Sequence, residues 1–165
     1  MAGPHVIRLR GPWEYEPLAR LVPNADGTQR EETHDLPPAG RSEMPADWGA
    51  TLGVDFRGRV RYIRRFGCPT GLGPRERVWL VFEGADATAV ARLNERPLVE
   101  ICGLGSATRI DVTDLLAQRN LLVVDVELPP LDAAAERAAR PGREGLPGGL
   151  IGEVRLEIES GGGAR

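Results

Sequence analysis

The residue types that most often carry chemistry are sparse in this sequence. Its two histidines, His5 and His34, have no serine or cysteine nucleophile motif near them, which favours surface positions over a catalytic base. Its two cysteines, Cys68 and Cys102, lack CxxC spacing and a neighbouring histidine, so nothing supports a zinc site. We therefore expect no metal and no cofactor, and we expect both thiols to be free and at least partly buried.

Acidic residues are numerous, and glycoside hydrolysis needs only two of them, about 5 to 10 Å apart. The positive charge of Arg64 suggests that some of these carboxylates have a structural role and not a catalytic one. Arg64 shares strand parity with Tyr62, so its guanidinium should point inward and must find a carboxylate. Glu83, Asp86 and Asp111 are the candidate partners. Such a pair shifts pKa values as an active site does, and we interpret it as a structural ion pair in preference to a catalytic one.

The bulk properties exclude several classes of protein. The chain has 165 residues, which suffices for one domain with its own hydrophobic core. The net charge is -3 and the two signs are interleaved, so no basic stripe is available for nucleic acid. No apolar run approaches the roughly 20 residues of a membrane span, and the beginning of the chain has no apolar stretch of signal-peptide length. We expect a cytoplasmic protein, unless an export segment has been removed.

Hydrophobic periodicity predicts β-strands along most of the chain. A short apolar run is typical of a central strand that is covered on both faces; here it is residues 78–82. Other segments alternate apolar and polar side chains at the two-residue period of a strand. These alternating segments are residues 60–66, 120–128 and 153–158.

One pair of strand-type segments predicts a hairpin. Residues 88–93 and 97–101 flank the polar residues 94–96. A two-residue turn would prefer glycine after asparagine, but this chain has Glu95 there. We therefore expect a longer or bulged connection.

Helix signals are few and short. Residues 111–116 predict a single capped turn, and residues 132–140 predict a short helix within a long loop. Many short strands with turn signals between them favour an all-β fold, an antiparallel jelly-roll β-sandwich with one or two short helical turns. We expect one domain over residues 1–160 and a flexible tail over residues 161–165.

Several segments, read in order, resemble the landmarks of a known family. RGPWEY at residues 10–15 is similar to L-G-x-W-x-F, and MPADW at residues 44–48 is similar to V-P-x-x-W. YIRRF at residues 62–66 matches Y-R-R-x-F except at its second position. The closest match is RVWLVFEGADA at residues 77–87 to R-V-x-L-x-F-E-G-V-D-x, which continues into ARLN at residues 91–94.

The remaining landmarks lie in the second half of the chain. DVTDLL at residues 111–116 and NLLVVDV at residues 120–126 resemble D-I-T-x-x-L and N-x-L-x-V-x-V. GGLIGEVRL at residues 148–156 resembles G-G-I-W-R-D-V-x-L. Together the motifs resemble the N-terminal sugar-binding domain of glycoside hydrolase family 2, of the β-galactosidase and β-glucuronidase type. The resemblance covers nearly the whole chain and implies a galactose-binding-domain-like sandwich without the barrel that carries the family's catalytic carboxylates.

The resemblance also implies where sugar would bind. In the β-galactosidase branch, loops of this domain lend an Asn and an Asp to a sugar pocket that the barrel completes. This sequence has no Asn in residues 48–60, and the loop before Gly148 offers Glu144. The Trp and Arg of the closing motif are Ile151 and Gly152 here.

The leading hypothesis for function is a non-catalytic carbohydrate-binding module rather than an enzyme. Sugar rings stack on exposed aromatic side chains, and Trp48, beside a loop, is the best stacking candidate, with core packing as the competing interpretation. The predicted site joins Trp48 with Asp86 and Arg109. Two alternatives stay open. One is a protein-interaction or accessory domain that binds a protein partner or self-associates, and the other is a subunit or fragment of a glycoside hydrolase whose barrel is on another chain.

Overall fold

A computed structural model describes residues 3–161, with the side chain of Leu104 excepted. Residues 1, 2 and 162–165, which include most of the predicted tail, lie outside the described residues. The strands are β1 (His5–Arg8), β2 (Trp13–Pro23), β3 (Gln29–Glu32), β4 (Gly40–Ser42), β5 (Ala46–Asp47), β6 (Gly58–Gly67), β7 (Glu76–Leu93), β8 (Arg96–Asp111), β9 (Arg119–Leu128), β10 (Gly149–Leu150) and β11 (Val154–Ser160). The helices are α1 (Gly49–Leu52) and α2 (Ala133–Ala139), with a 3-10 turn at Thr113–Leu115.

The strands pair antiparallel in one continuous path, which runs β1, β11, β7, β9, β6, β2 and β3. β8 adds to β7, β4 adds to β2, and β10 bridges β5 and β7. The path folds into two layers that face each other across the core. The predicted fold class, an antiparallel all-β sandwich with short helical turns, is confirmed. None of the helices within residues 3–161 has the length and apolar character to cross a bilayer.

β7 is the strand that joins the two layers. Its first half pairs with β11, for example Leu80 with Leu156, and its second half pairs with β9, for example Ala91 with Val124. The register against β8 shifts between Phe82 and Gly84 and again before Thr88. Irregularities of this kind bend a strand and re-aim its side chains. The bend places residue 86 at the junction of the layers.

The core confirms the predicted alternation. On β9 the alternate residues Leu122, Val124, Val126 and Leu128 are all buried, and the residues between them are more exposed. These side chains join one cluster with the large aromatic groups of both layers. The fully buried aromatic side chains are Trp13, Trp48 and Phe82, and Tyr62 is nearly so.

The hairpin between β7 and β8 differs from its prediction. The connection is a two-residue turn, with Asn94 at φ 50° and Glu95 at φ 69° and with the flanking residues paired directly. The expectation of a longer connection is therefore wrong, whereas the alternative of a bulged connection has support in the shift of register between Val90 and Arg92, just before the turn. The Asn94 side chain donates to Asn120 Oδ1 at 2.9 Å and accepts from the Leu121 N–H at 2.8 Å. These contacts hold the turn in the left-handed region where glycine is usually required.

Gly58, at the start of β6, provides a test of the packing between β6 and β2. A Cβ atom there would lie 2.1 Å from the Ala19 carbonyl oxygen, whereas at Gly67, at the other end of β6, the nearest atom would be 3.9 Å away. Gly58→Ala should lower the free energy of unfolding by about 1–3 kcal/mol because backbone must move. Gly67→Ala should change it by less than about 0.5 kcal/mol. Equal effects of the two variants in urea denaturation would contradict this packing.

Candidate functional site

The charged groups at the loop end of the sandwich converge on one carboxylate, that of Asp86. The side chain is only 5% exposed, and the Arg140 side chain against it is 1% exposed. Arg140 donates from Nε and Nη2 to the two carboxylate oxygens at 2.7 Å each, and Arg143 donates from Nε to Oδ2 at 2.6 Å. Bidentate charge-assisted bonds of this kind are short and strong. They compensate the loss of water that burial imposes on the carboxylate.

A second carboxylate, Glu136, extends the network into the long loop of residues 129–148. Arg140 donates from Nη1 to Glu136 Oε1 at 3.0 Å, and the Gly145 N–H donates to Oε2 at 2.5 Å. Arg140 also donates to the Leu146 carbonyl oxygen at 2.6 Å. One guanidinium thus joins the strand, the helix and the loop.

The helix that presents Arg140 follows from its local sequence. The Asp132 side chain caps α2 by accepting the Ala135 N–H at 2.7 Å. Alanines favour the helix, and the spacing of Glu136 and Arg140 is the i, i+4 pair that stabilises it. Pro141 cannot continue the helix. The predicted short helix is confirmed, and it ends where the guanidinium must turn toward β7.

Trp48 does not form a sugar-stacking surface. Its side chain is 1% exposed, packs edge-on to the Phe56 ring at 5.6 Å between centroids and donates from Nε1 to the Phe56 carbonyl oxygen at 3.2 Å. A Cβ atom on Gly148 would lie 2.8 Å from the Trp48 ring and 2.6 Å from the Asp86 carbonyl oxygen. The structure therefore brings Trp48 close to Asp86. Of the two interpretations of Trp48, core packing is confirmed and sugar stacking is wrong, because the indole is buried in the core cluster.

Arg109, the third residue of the predicted site, lies elsewhere. Its guanidinium stacks over the Trp79 ring at 3.9 Å from the centroid and pairs with Glu159 at 2.5 Å and with Glu157 at 3.7 Å. These residues lie on the outer face of the layer that contains β11. The prediction that Arg109 joins Asp86 in one site is wrong. The order of the strands along the sequence does not show which face of the sheet a residue beside a loop occupies.

The predicted partners of Arg64 are engaged by other arginines. Glu83 pairs with Arg155, and Asp111 pairs with Arg77 at 2.8 Å. Both are diagonal neighbours on paired strands, the contact that sheet geometry favours. Within residues 3–161 the Arg64 guanidinium forms no salt bridge and donates to the Arg65 carbonyl oxygen at 2.6 Å. The predicted structural pair of Arg64 is wrong, because the three candidate partners lie on β7 and β8 and β6 adjoins neither strand.

Two of these ion pairs shift the pKa of at least one of their members. Hydrogen bonding to Asp86 raises the pKa of Arg140 above its ordinary value, although burial opposes this. Burial opposes ionisation of Asp111, but hydrogen bonds from Thr113 and Arg77 prevail and lower its pKa. The oxygens of Asp86 and Glu136 are occupied by donors, so neither carboxylate is presented as a free acid or base.

The guanidinium groups of the network were not predicted from the sequence. Arg140, Arg143 and Glu136 lie in a segment that resembles none of the quoted motifs. The available signal was an acidic and a basic residue at i and i+4, followed by a proline.

The closing motif, residues 148–156, also departs from the family pattern. A Cβ atom at Gly152, where the resemblance implies Arg, would lie 2.4 Å from the Gly84 nitrogen. The backbone here leaves no room for a side chain at that position.

A pocket of about 260 Å³ opens beside the network. It lies between the bend of β7, the bend of β8 and the end of α2. Its lining residues are Ala85, Asp86, Gly103, Ala139, Arg140, Pro141 and Arg143.

Among residues 3–161 no three histidine, cysteine or acidic side chains are grouped closely enough to hold a metal ion. Both cysteines are free, and Cys102 is exposed instead of partly buried.

Solved structures of similar fold are enzymes much longer than this chain. An FMN-binding β-glucuronidase from Faecalibacterium prausnitzii superposes with a TM-score of 0.69 at 23% identity, over 97% of this chain and 23% of that one. A Bifidobacterium dentium β-glucuronidase superposes with a TM-score of 0.67 at 22% identity, over 97% of this chain and 31% of that one. A putative β-galactosidase from Bacteroides fragilis superposes with a TM-score of 0.66 at 20% identity, over 96% of this chain and 24% of that one. The chain thus spans 23–31% of the length of these three structures. No curated protein sequence matches it.

The bent central strand and the two facing antiparallel layers define a galactose-binding-like β-sandwich. The sequence profile described as "Glycosyl hydrolase 2 galactose-binding domain-like" matches residues 45–157, more than half of the chain. The chain belongs to this family, and the resemblance inferred from the sequence motifs is confirmed.

The buried ion pair can be tested through Arg140→Met. Removing Arg140 leaves the buried Asp86 carboxylate with Arg143 as its remaining cationic partner and takes the Arg140 bond away from Glu136, so the free energy of unfolding should fall by about 3–5 kcal/mol. Arg137→Met is the matched control, since Arg137 is exposed on the same helix and forms no salt bridge in the described structure. It should change stability by less than about 0.5 kcal/mol. Similar losses in both variants would show that the buried pair is not the cause.

The lowered pKa of Asp111 predicts an acid-dependent loss of stability. A carboxyl group with a depressed folded-state pKa stabilises the fold above its ordinary pKa of about 3.9, and this contribution disappears as pH falls through the folded value. The stability difference between the wild type and Asp111→Asn should therefore shrink between pH 5 and pH 2, as read from urea midpoints. Asp55→Asn, at an exposed residue, is the control and should show no such convergence. A constant difference for Asp111→Asn would contradict the assignment.

Proposed function

We propose that this domain is a non-catalytic carbohydrate-binding module, and that it contacts sugar in the pocket beside Asp86. The supporting observation is the rigid, polar wall of that pocket, in which Arg140 and Arg143 are both held by the same carboxylate. The volume of about 260 Å³ falls just below the range of about 300–1,000 Å³ for drug-sized ligands. A single sugar ring suits this size.

Arg143 is the residue that would contact the ligand. Its side chain is 21% exposed, its Nε is bonded to Asp86, and its Nη2 donates to the Pro147 carbonyl oxygen at 2.8 Å. A guanidinium has five N–H donors, so further donors are available to sugar hydroxyl groups. Because the side chain is already held in place, little conformational entropy is lost on binding.

The absence of a catalytic role is supported by the state of the two carboxylates. A glycosidase needs one carboxyl group that can give up a proton and one that can act as a base or nucleophile. Asp86 and Glu136 are instead saturated by guanidinium and backbone N–H donors. Hydrolysis of a chromogenic glycoside by this chain alone would contradict a non-catalytic role.

A second candidate is an accessory domain of a family 2 hydrolase whose catalytic part is elsewhere. The supporting observation is length, because the chain covers only 23–31% of the glucuronidase and galactosidase structures it resembles. In this role the pocket would complete a site on a neighbouring domain. Sugar binding by the isolated chain would then be weak or absent.

Titration of neutral monosaccharides, followed by amide chemical shifts, distinguishes the two candidates. We expect millimolar binding of at least one sugar, with the largest shifts at Gly103 and in residues 139–145. Arg143→Gln should weaken binding about tenfold, the value of one hydrogen bond to a charged group. Arg137→Gln should leave it unchanged. A folded Arg143→Gln variant that binds as the wild type does, or the lack of shifts with every sugar, would contradict the pocket as a sugar site.

A further inference from the structure

The charged cluster around Asp86 carries one positive charge in excess. It consists of three arginines and two carboxylates, namely Arg57, Arg140, Arg143, Asp86 and Glu136. Each guanidinium contacts a carboxylate at between 2.6 and 3.9 Å, and none of the five side chains is more than 21% exposed. Charges that water screens poorly act strongly on their surroundings. The pocket beside the cluster is therefore a favourable place for a negative charge.

The side-chain acceptors of this cluster are already engaged. Asp86 accepts three guanidinium N–H bonds, one at Oδ1 and two at Oδ2. The two Glu136 oxygens accept from Arg140 and from the Gly145 N–H. Among the described residues Asp86 is the only acidic residue that lines the pocket, and Glu144, in the adjoining loop, is exposed and forms no salt bridge within residues 3–161. The charged side chains of the wall therefore present donors to a ligand and not acceptors.

Arg143 has most of the unused donors. Arg140 uses four of its five N–H groups, whereas Arg143 uses two, Nε to Asp86 at 2.6 Å and Nη2 to the Pro147 carbonyl oxygen at 2.8 Å. Nε and Nη2 share the edge of the guanidinium that can bind a planar carboxylate by two parallel bonds. Five N–H groups minus two leaves three, which point along the other sides of the plane. Diverging donors of this kind match a group with three terminal oxygens better than a flat group with two.

The remaining lining of the pocket is small and mostly apolar. Ala85, Ala139 and Pro141 contribute side chains, and Gly103 contributes only backbone. A Cβ atom at Gly103 would meet nothing within 4 Å, so the pocket is open at that point. An apolar lining with a few convergent polar groups is typical of a small-molecule site, in which the polar groups set the specificity. Here those polar groups are guanidinium donors.

We propose that the ligand of this pocket is a sugar that carries a sulfate or phosphate ester, an inference that rests on the proposed function. The ester brings a negative charge to the charged cluster and three terminal oxygens to the unused donors of Arg143. The sugar ring lies against the small apolar groups of the lining. Sulfate and phosphate esters share the tetrahedral oxyanion that this site would recognise, and the ligands of the test distinguish them.

The test is a titration of the folded chain with galactose and glucose, each as the free sugar, the 6-sulfate and the 6-phosphate, with amide chemical shifts as the readout. Galacturonate and sodium sulfate are the comparison anions. An ester should shift Gly103 and residues 139–145 and bind at least about tenfold more tightly than its parent sugar, because it adds a hydrogen bond between charged groups. Raising the salt concentration should reduce this difference. The stronger of the two esters identifies which oxyanion the pocket takes.

The variant Ala139→Glu tests the role of charge and leaves every member of the charged cluster in place. Ala139 is exposed and lines the pocket, so a carboxylate there opposes a bound anion. It should reduce the affinity for the ester to about that of the parent sugar and leave the affinity for the parent sugar nearly unchanged. Ala134→Glu is the matched control, because Ala134 is exposed earlier on α2 and does not line the pocket. It should leave ester binding as in the wild type.

The outcomes separate this inference from the proposed function. Equal affinities for an ester and its parent sugar, with shifts at the pocket, would overturn the ester class and leave the sugar pocket standing. Galacturonate bound as tightly as the esters would overturn the preference for a tetrahedral group, and sodium sulfate bound as tightly would overturn the contribution of the sugar ring. Ester binding that Ala139→Glu does not weaken would overturn the role of the excess charge. A lack of pocket shifts with every ligand would overturn both the inference and the proposed function.

Discussion

A carboxylate buried within the longest strand is the constraint on which the loop end of this domain depends. Asp86 occupies the bend where β7 passes from one layer to the other, and its side chain is only 5% exposed. The fold must bring a guanidinium to it, since an unpaired charge at that depth would be very costly. Arg140 meets this need and in doing so determines where α2 ends and how the following loop returns to the sandwich.

Most of the fold could be predicted from the sequence because strand parity is a local property. Leu122, Val124 and Val126 alternate toward the core as their spacing indicates, and the capped helix at residues 133–139 follows from Asp132 and Pro141. Which strands adjoin each other is not a local property. Parity could orient Arg64, but it could not show that every acidic partner named for it lies on strands that β6 does not touch.

The site was harder to predict than the fold for the same reason. Sequence motifs identified Trp48 and Asp86 as neighbours of loops, and the two do lie close together. The loop that covers them is the part of the chain without a motif. The residue type of Trp48 indicated core packing, but the sequence did not show which segment covers it or that Asp86 is already engaged. The family membership accounts for the scaffold. The guanidinium groups of Arg140 and Arg143 come from a segment that resembles none of the family's landmarks.

The ion pair between Asp86 and Arg140 also restricts how such a domain can diverge. A buried acid and base can be exchanged together for apolar residues with little change in stability. Losing Arg140 alone leaves the buried Asp86 carboxylate with Arg143 as its remaining partner, and losing Asp86 alone leaves the buried Arg140 guanidinium paired only with Glu136. Divergent copies of this domain should therefore keep both residues or lose both. The loop of residues 129–148 would then vary together with position 86 on β7. Its length and sequence could change freely only where the pairing of Asp86 with Arg140 is preserved.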